Sequence, residues 1–216
     1  MKFNSAFIKT TGCLLLTISS LSSCKKFLEE DPKNLVSVSN FYKTQEDAIF
    51  AVNAAYGYLN STSTLPAAGV YHSTFWVIAG LASDEMINNQ FGVPYYDQIA
   101  TFTQSAQNFA LQETWVMHYK VITLANIAIA RIPEISMDAT LRTRLVNESR
   151  FLRGLMYFDL VRLFGDVPLL TKEVEDLKPP RSKVSDVYEL IQSDLIAAKD
   201  LPSSYTAGNG KGRATT

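Results

Sequence analysis

Cysteine is almost absent: the 216 residues contain two, Cys13 and Cys24, which excludes a disulfide-dense secreted scaffold. Histidine is equally scarce. His72 and His118 form no H-E-x-x-H pattern, and no thiols cluster beside them to complete a zinc site. With 10 Gly and 8 Pro the chain is neither collagen-like nor of low complexity. Charge of one sign is lacking too, because 20 basic side chains face 21 acidic ones. With no basic surplus to neutralise phosphates, nucleic acid is excluded as a partner. There is no G-x-S-x-G nucleophile elbow. Gly208-Asn209-Gly210-Lys211-Gly212 lacks P-loop spacing and a preceding strand, so it reads as a flexible turn. The hydrophobic share, 47%, excludes a wholly disordered chain, and the length suits one domain or one piece of a larger one.

The first residues carry an address. Lys2 and Lys9 give a positive start, and Leu14, Leu15, Leu16, Ile18 and Leu21 form an apolar stretch broken by Ser and Thr. A spanning helix needs about 20 consecutive apolar residues, so this shorter run reads as a secretory signal peptide over residues 1–23. Leu21-Ser22-Ser23-Cys24 resembles the lipobox of bacterial lipoproteins, in which the cysteine is acylated and becomes the mature N-terminus. The plain alternative is a chance cysteine beside an ordinary cleavage site. Cys13 leaves with the leader and Cys24 carries lipid, so the mature chain has no disulfide. Residues 24–40, with Lys25-Lys26-Phe27-Leu28-Glu29-Glu30-Asp31-Pro32, form a charged tether. The acidic cluster is either a solvated linker or similar to the export signals of surface-exposed lipoproteins in Bacteroidetes.

From residue 44 onward the apolar period is close to 3.6, which points to an all-α body. Thr44 and Asp47 form a capping-box pattern before Ala48, Ile49, Val52, Ala55, Tyr56 and Leu59, which predicts a helix over 44–59. A second is expected over 70–82. A third carries Leu111, Trp115, Tyr119, Ile122, Ala125, Asn126 and Ile129 and ends before Pro133. The fourth is predicted over 139–164, with Leu141, Leu145, Leu152, Met156 and Leu163 inward, and stops at Gly165. The fifth begins after Ser185, with Val187, Leu190, Ile191, Leu195 and Ala198 on one face and Pro202 beyond. Such helices bury their stripes against one another as stacked hairpins, so the expected architecture is an α-solenoid of helical hairpins. Gly154-x-x-Tyr157 is a tetratricopeptide-like fragment, though no strict 34-residue repeat is visible. Residues 60–69 and 83–108 are too long and polar for tight connections, and loops of that length are often functional.

Several segments in order resemble the SusD/RagB family. They are Phe27-Leu28-Glu29 with Pro32; Phe41-Tyr42-Lys43-Thr44-Gln45-Glu46-Asp47-Ala48; Ser83-Asp84-Glu85; Trp115 to Tyr119 with Ala125-Asn126; and, most specifically, the run Arg150-Phe151-Leu152-Arg153-Gly154-Leu155-Met156-Tyr157-Phe158-Asp159 through Phe164-Gly165-Asp166-Val167-Pro168. Pro180-Arg181-Ser182 and Asp194-Leu195 continue the match. The family usually shows Ala where this chain has Gly154. Gly212-Arg213-Ala214-Thr215 looks like the beginning of the family's next helix, so residues 41–216 are expected to be the N-terminal part of a SusD-like helical domain, incomplete at its C-terminus. The resemblance implies a tetratricopeptide-like scaffold on the outer membrane, facing the cell exterior. Such a protein binds oligosaccharide or another nutrient and partners a SusC-like TonB-dependent transporter, with no enzymatic activity and no cofactor.

Sugar binding asks for aromatic faces beside amides and carboxylates. Six aromatics fall within residues 71–96, about twice the share the overall composition would place there. Tyr71, Phe75 and Trp76 lie at helical spacing and are expected in the core. Phe91, Tyr95 and Tyr96 sit in an expected loop beside Asn88, Asn89 and Gln90 and, with Asp84, are the candidate ligand residues; no metal or catalytic site is expected. Asp84 and Glu85, adjacent in sequence, are poorly placed to flank one glycosidic bond. Trp115, Tyr119, Tyr157 and Phe158 are expected in the core and Asn126 as a satisfied buried amide. Arg150, Arg153 and Arg162 are expected to be solvated or paired with Glu148 and Asp159. Two other classes compete: an assembly lipoprotein holding a protein partner in a helical groove, and a surface hydrolase.

Overall fold

Thr44 starts the first helix as its pattern requires. Its Oγ1 accepts from the Asp47 N–H at 3.2 Å while Asp47 Oδ2 accepts from the Thr44 N–H at 2.9 Å, a reciprocal pair that satisfies donors a helix end leaves open. In this computed structural model the described residues are 41–60, 69–72, 74–89, 92–173, 178–205 and 210–216. They belong to one compact unit, Phe41–Thr216. The signal-peptide, Cys24 and tether expectations lie outside them.

Among the described residues six α-helices succeed one another: α1 Gln45–Gly57, α2 Thr74–Leu81, α3 Pro94–Ala100, α4 Phe109–Arg131, α5 Ala139–Phe164 and α6 Val184–Ala198. Pro133 ends α4 in a single 3-10 turn, Ile132–Glu134, because proline cannot donate to the continuing ladder. Asp138 caps α5, its carboxylate accepting from the Leu141 N–H at 2.7 Å. Gly165 stops α5 at φ +68°, a conformation that costs a Cβ-bearing residue. The chain then forms a two-strand antiparallel ladder, β1 Val167–Pro168 with β2 Arg181–Ser182, in register Val167 to Ser182. Apart from this ladder the regular structure of the described residues is all helical.

Helix α5 lies at the centre, packed chiefly against α6 and α4. Its buried Leu152, Met156, Tyr157 and Leu160 meet Val121 and Ile122 of α4 and Val187 and Ile191 of α6. At roughly 1.5–3 kcal/mol per fully buried large apolar side chain, this stripe dominates the stability of the hairpins. Ala48 and Val52 bring α1 against Ala128, Ile132 and Leu145. Val77, Ile78 and Leu81 of α2 close over Ile99 of α3 and Ala110 of α4.

Five expectations need correction. Helix α2 begins at Thr74 rather than at Val70, since residues 70–72 form a turn that ties Val70 and Tyr71 N–H groups to the Tyr58 and Leu59 carbonyls. Trp76 is 49% exposed, because α2 is apolar on every side and turns only Val77, Ile78 and Leu81 inward. Phe158 is exposed and lies under the Arg162 guanidinium, 4.1 Å from its ring centroid. Leu195 is 42% exposed on the outer side of α6. Arg153 is neither solvated nor paired with Glu148. It is buried and grips Asp194 of α6.

Candidate functional site

The expected ligand loop is partly helical. Pro94 occupies the first turn of α3, where its missing N–H is no loss, and Tyr95 and Tyr96 come next on that helix instead of in a loop. Their rings meet edge-on at 4.5 Å, and Tyr95 also packs on Phe109 at 5.3 Å, so both are half-buried. Burial raises the Tyr96 hydroxyl above its ordinary range, with Tyr95 adding to it. Asn88 donates its Nδ2 to Asp97 Oδ1 at 2.5 Å, which joins the segment after α2 to α3. Asp84, Glu85 and Asn89 are exposed, and Phe91 lies outside the described residues. Asn88 and the two tyrosines are thus brought to one helix.

Asn108 fixes the connection from α3 to α4; its place directly before the apolar period of α4 is a helix-start signal in the sequence, while its contacts back to α3 are not legible there. Its Oδ1 caps α4 by accepting from the Ala110 and Leu111 N–H groups, at 3.0 and 3.3 Å. Its Nδ2 donates to the Tyr95 carbonyl and to Gln98 Oε1, both at 2.9 Å. One buried side chain therefore holds the 101–108 loop between α3 and α4 through four hydrogen bonds.

Beside this loop opens a cleft of about 640 Å³, lined by Gln104 and Gln107 of the loop, Gln112 and Trp115 of α4, Phe164 at the end of α5 and Arg181 of β2. Its volume falls in the ordinary range for small-molecule sites. The Trp115 ring is braced by Tyr119 at 5.0 Å and edge-on by Phe164 at 5.1 Å. Tyr119 is itself fixed by donating to the Pro168 carbonyl at 2.7 Å. Arg181 Nη1 donates to the Asp166 carbonyl at 3.1 Å. Trp115 is therefore half core and half wall.

The buried polar groups serve the scaffold. Asp159 accepts from the Tyr71 hydroxyl at 2.7 Å and from Arg162 Nη2 at 2.6 Å, and His118 Nε2 stands 3.6 Å away. Burial alone would raise the Asp159 pKa, but the neighbouring His118 ring and the hydrogen bonds from Tyr71 and Arg162 outweigh it and hold the carboxyl below its ordinary range. His118 is wholly buried beside the Phe75 ring, with Nδ1 2.6 Å from the Thr114 carbonyl. With Asp159 and Tyr71, His118 rivets α4, α5 and the 69–72 turn together. Asn126 is satisfied as expected, donating to the Leu170 carbonyl and accepting from Arg153. Glu148 is held by Arg144 and Arg213. Among the described residues no group of His, Cys, Asp and Glu is placed to hold a metal ion, and no helix is long and apolar enough to cross a membrane.

Stacked amphipathic hairpins around a central helix, with a ligand-sized cleft on one side, define an all-α tetratricopeptide-like scaffold. Residues 26–215 match the SusD-like family described as starch-binding and associating with outer membrane, and the chain belongs to that family. It is 30% identical over 207 residues to a SusD-like protein of Formosa agariphila, covering 92% of this chain and 39% of that relative. A SusD-like protein of Bacteroides ovatus is 27% identical over 227 residues, with 100% and 37% covered. Among solved structures, a laminarin-binding SusD-like protein superposes with TM-score 0.69 at 26% identity, covering 81% of this chain and 38% of that one. A SusD-like protein of Bacteroides fragilis gives TM-score 0.67 at 26% identity, with 83% and 34% covered. The chain spans about two fifths of the length of the curated relatives it matches.

Proposed function

We propose that this chain is part of a surface-exposed outer-membrane lipoprotein that binds a glycan and delivers it, unaltered, to a SusC-like TonB-dependent transporter. The observation that carries the reading is the family match over residues 26–215, joined to the structural likeness to a laminarin-binding protein. In this reading residues 1–23 direct export and Cys24 carries the lipid, while residues 24–40 tether the helical body. A single acyl chain, at about 0.8 kcal/mol per buried methylene, anchors only marginally, and several anchor stably. A multiply acylated Cys24 holds the body on the membrane without a spanning helix.

Asp84, Asn88, Asn89, Phe91, Tyr95 and Tyr96 are the ligand residues of this proposal. The support is chemical: exposed Asp84 and Asn89 offer polar partners to hydroxyls, and the α3 tyrosines offer half-exposed ring edges and faces. Affinity electrophoresis of the whole chain in detergent, through gels containing laminarin, starch, mannan or xylan, tests the reading alongside an assay for released reducing ends. Retention by a glycan without new reducing ends supports it. Reducing ends would favour a hydrolase, and co-purification with a protein partner without retention by any glycan would favour an assembly role.

A further inference from the structure

We propose that the cleft beside Trp115 is a separate glycan subsite, taking pyranose rings of an uncharged oligosaccharide on the Trp115 indole with the carboxamides of Gln104, Gln107 and Gln112 as hydroxyl partners. The inference rests on the reading of the chain as a glycan-binding protein, and places a second contact away from the Asp84 to Tyr96 segment.

A pyranose presents two unlike surfaces: an apolar face of C–H groups and a girdle of hydroxyls that both donate and accept. The cleft offers the complement of each. Trp115 supplies a broad apolar face, and its bracing by Tyr119 and Phe164 means it arrives already ordered, so stacking on it costs little side-chain entropy. A carboxamide carries both an acceptor oxygen and a donor NH₂, which suits paired hydroxyls better than a carboxylate or an ammonium does. Gln104, Gln107 and Gln112 are all exposed, so core packing does not explain their placement around the ring. Arg181 adds further donors at the β2 side while one of its nitrogens stays with the Asp166 carbonyl. Among the described residues the lining includes no Asp or Glu, and therefore no acid and base to cleave what is held.

The walls are pre-formed. Asn108 pins the loop that carries Gln104 and Gln107, and its four hydrogen bonds are made without any ligand. A site fixed in this way loses little free energy in closing on its ligand.

The chain contains two tryptophans, Trp76 and Trp115, so the Trp76→Phe variant reports on Trp115 alone. Trp76 is half-exposed on α2, its Nε1 donates to the His72 carbonyl and it does not line the cleft, so its replacement leaves the cleft intact. The whole chain carrying Trp76→Phe is titrated in detergent with laminarihexaose, maltohexaose, mannohexaose and xylohexaose, and the emission is recorded. A saturable shift with at least one of them is expected. Adding Gln112→Ala, an exposed change that leaves the far-ultraviolet circular dichroism unaltered, should weaken that titration about three- to ten-fold, the worth of one neutral hydrogen bond. Retention on glycan gels with unchanged Trp115 emission would overturn the subsite and leave the proposed function standing. Failure of every glycan both in the gel and in the titration would overturn the two together. An emission shift that Gln112→Ala does not weaken would also overturn the assignment of the carboxamides.

Discussion

Arg153 Nε and Nη2 each lie 2.8 Å from an oxygen of Asp194, a two-pronged ion pair buried between α5 and α6. Its third donor group, Nη1, reaches Asn126 Oδ1 of α4 at 2.8 Å, so one guanidinium ties three helices. Removing one partner of such a pair strands the other charge in a poorly solvated place, which costs about 3–5 kcal/mol. Arg153→Met should therefore lower the midpoint of urea unfolding severely. The double variant Arg153→Met with Asp194→Leu should recover much of the loss, because no charge is then left buried alone. A double variant no more stable than the single one would show that the pair itself, and not the stranded carboxylate, sets the cost.

Gly154 adjoins this pair. A Cβ built there would meet Asp194 Cβ at 3.4 Å and the Ile191 carbonyl at 3.7 Å, ordinary contact distances. Glycine within a helix costs roughly 0.5–1 kcal/mol relative to alanine, so Gly154→Ala should stabilise the chain by about that amount in thermal or urea unfolding. Gly165→Ala should do the reverse. There the space is open, but φ of +68° with ψ of −125° is a region a Cβ-bearing residue enters at a cost of about 1–3 kcal/mol.

The Asp159 carboxyl titrates below its ordinary value of 3.8. A carboxyl depressed by folding stabilises the folded state fully above the unfolded pKa, and that contribution is lost as pH falls from near 3.8 through the lower folded value. Unfolding free energy measured in urea from pH 6 to pH 2 should accordingly drop below about pH 4. The drop should be shallower in Asp159→Asn, which has no proton to take up. Equal slopes in the two proteins would mean that the contacts from Tyr71, Arg162 and His118 do not favour the ionised carboxylate.

Replacing Cys24 with Ala should release the protein from the outer membrane into the soluble fraction when expressed in a Bacteroidetes host. Quantitative retention of the variant in the membrane pellet would contradict lipid attachment at this residue.

Much of the helical frame is legible in the sequence because its signals are local. The Thr44 and Asp47 reciprocity, the glycine stop at 165 and the inward stripe of Leu145, Leu152 and Met156 all act within one or two turns. Helix α3 escapes because seven residues give too little length for a period to show, and Pro94 resembles a loop marker when it is an N-terminal one. Trp76 is misplaced by spacing for a related reason: in an eight-residue helix with no polar side chain after Thr74, spacing does not distinguish the inner face. Arg153 and its partner are 41 residues apart, and the cleft gathers Gln107, Trp115, Phe164 and Arg181 from three separate elements and a loop. Contacts of that kind are created by the stacking of the hairpins, which periodicity along the chain does not describe.

Holding glycan without transforming it is the central claim, and equilibrium dialysis with mass analysis tests it most directly. The detergent-solubilised chain is dialysed overnight against oligosaccharides of defined length from laminarin and starch, and the retained sugar is weighed by mass spectrometry. The expected result is saturable retention of an oligosaccharide recovered at its starting mass. Recovery of shortened products, or no retention of any sugar, would contradict it.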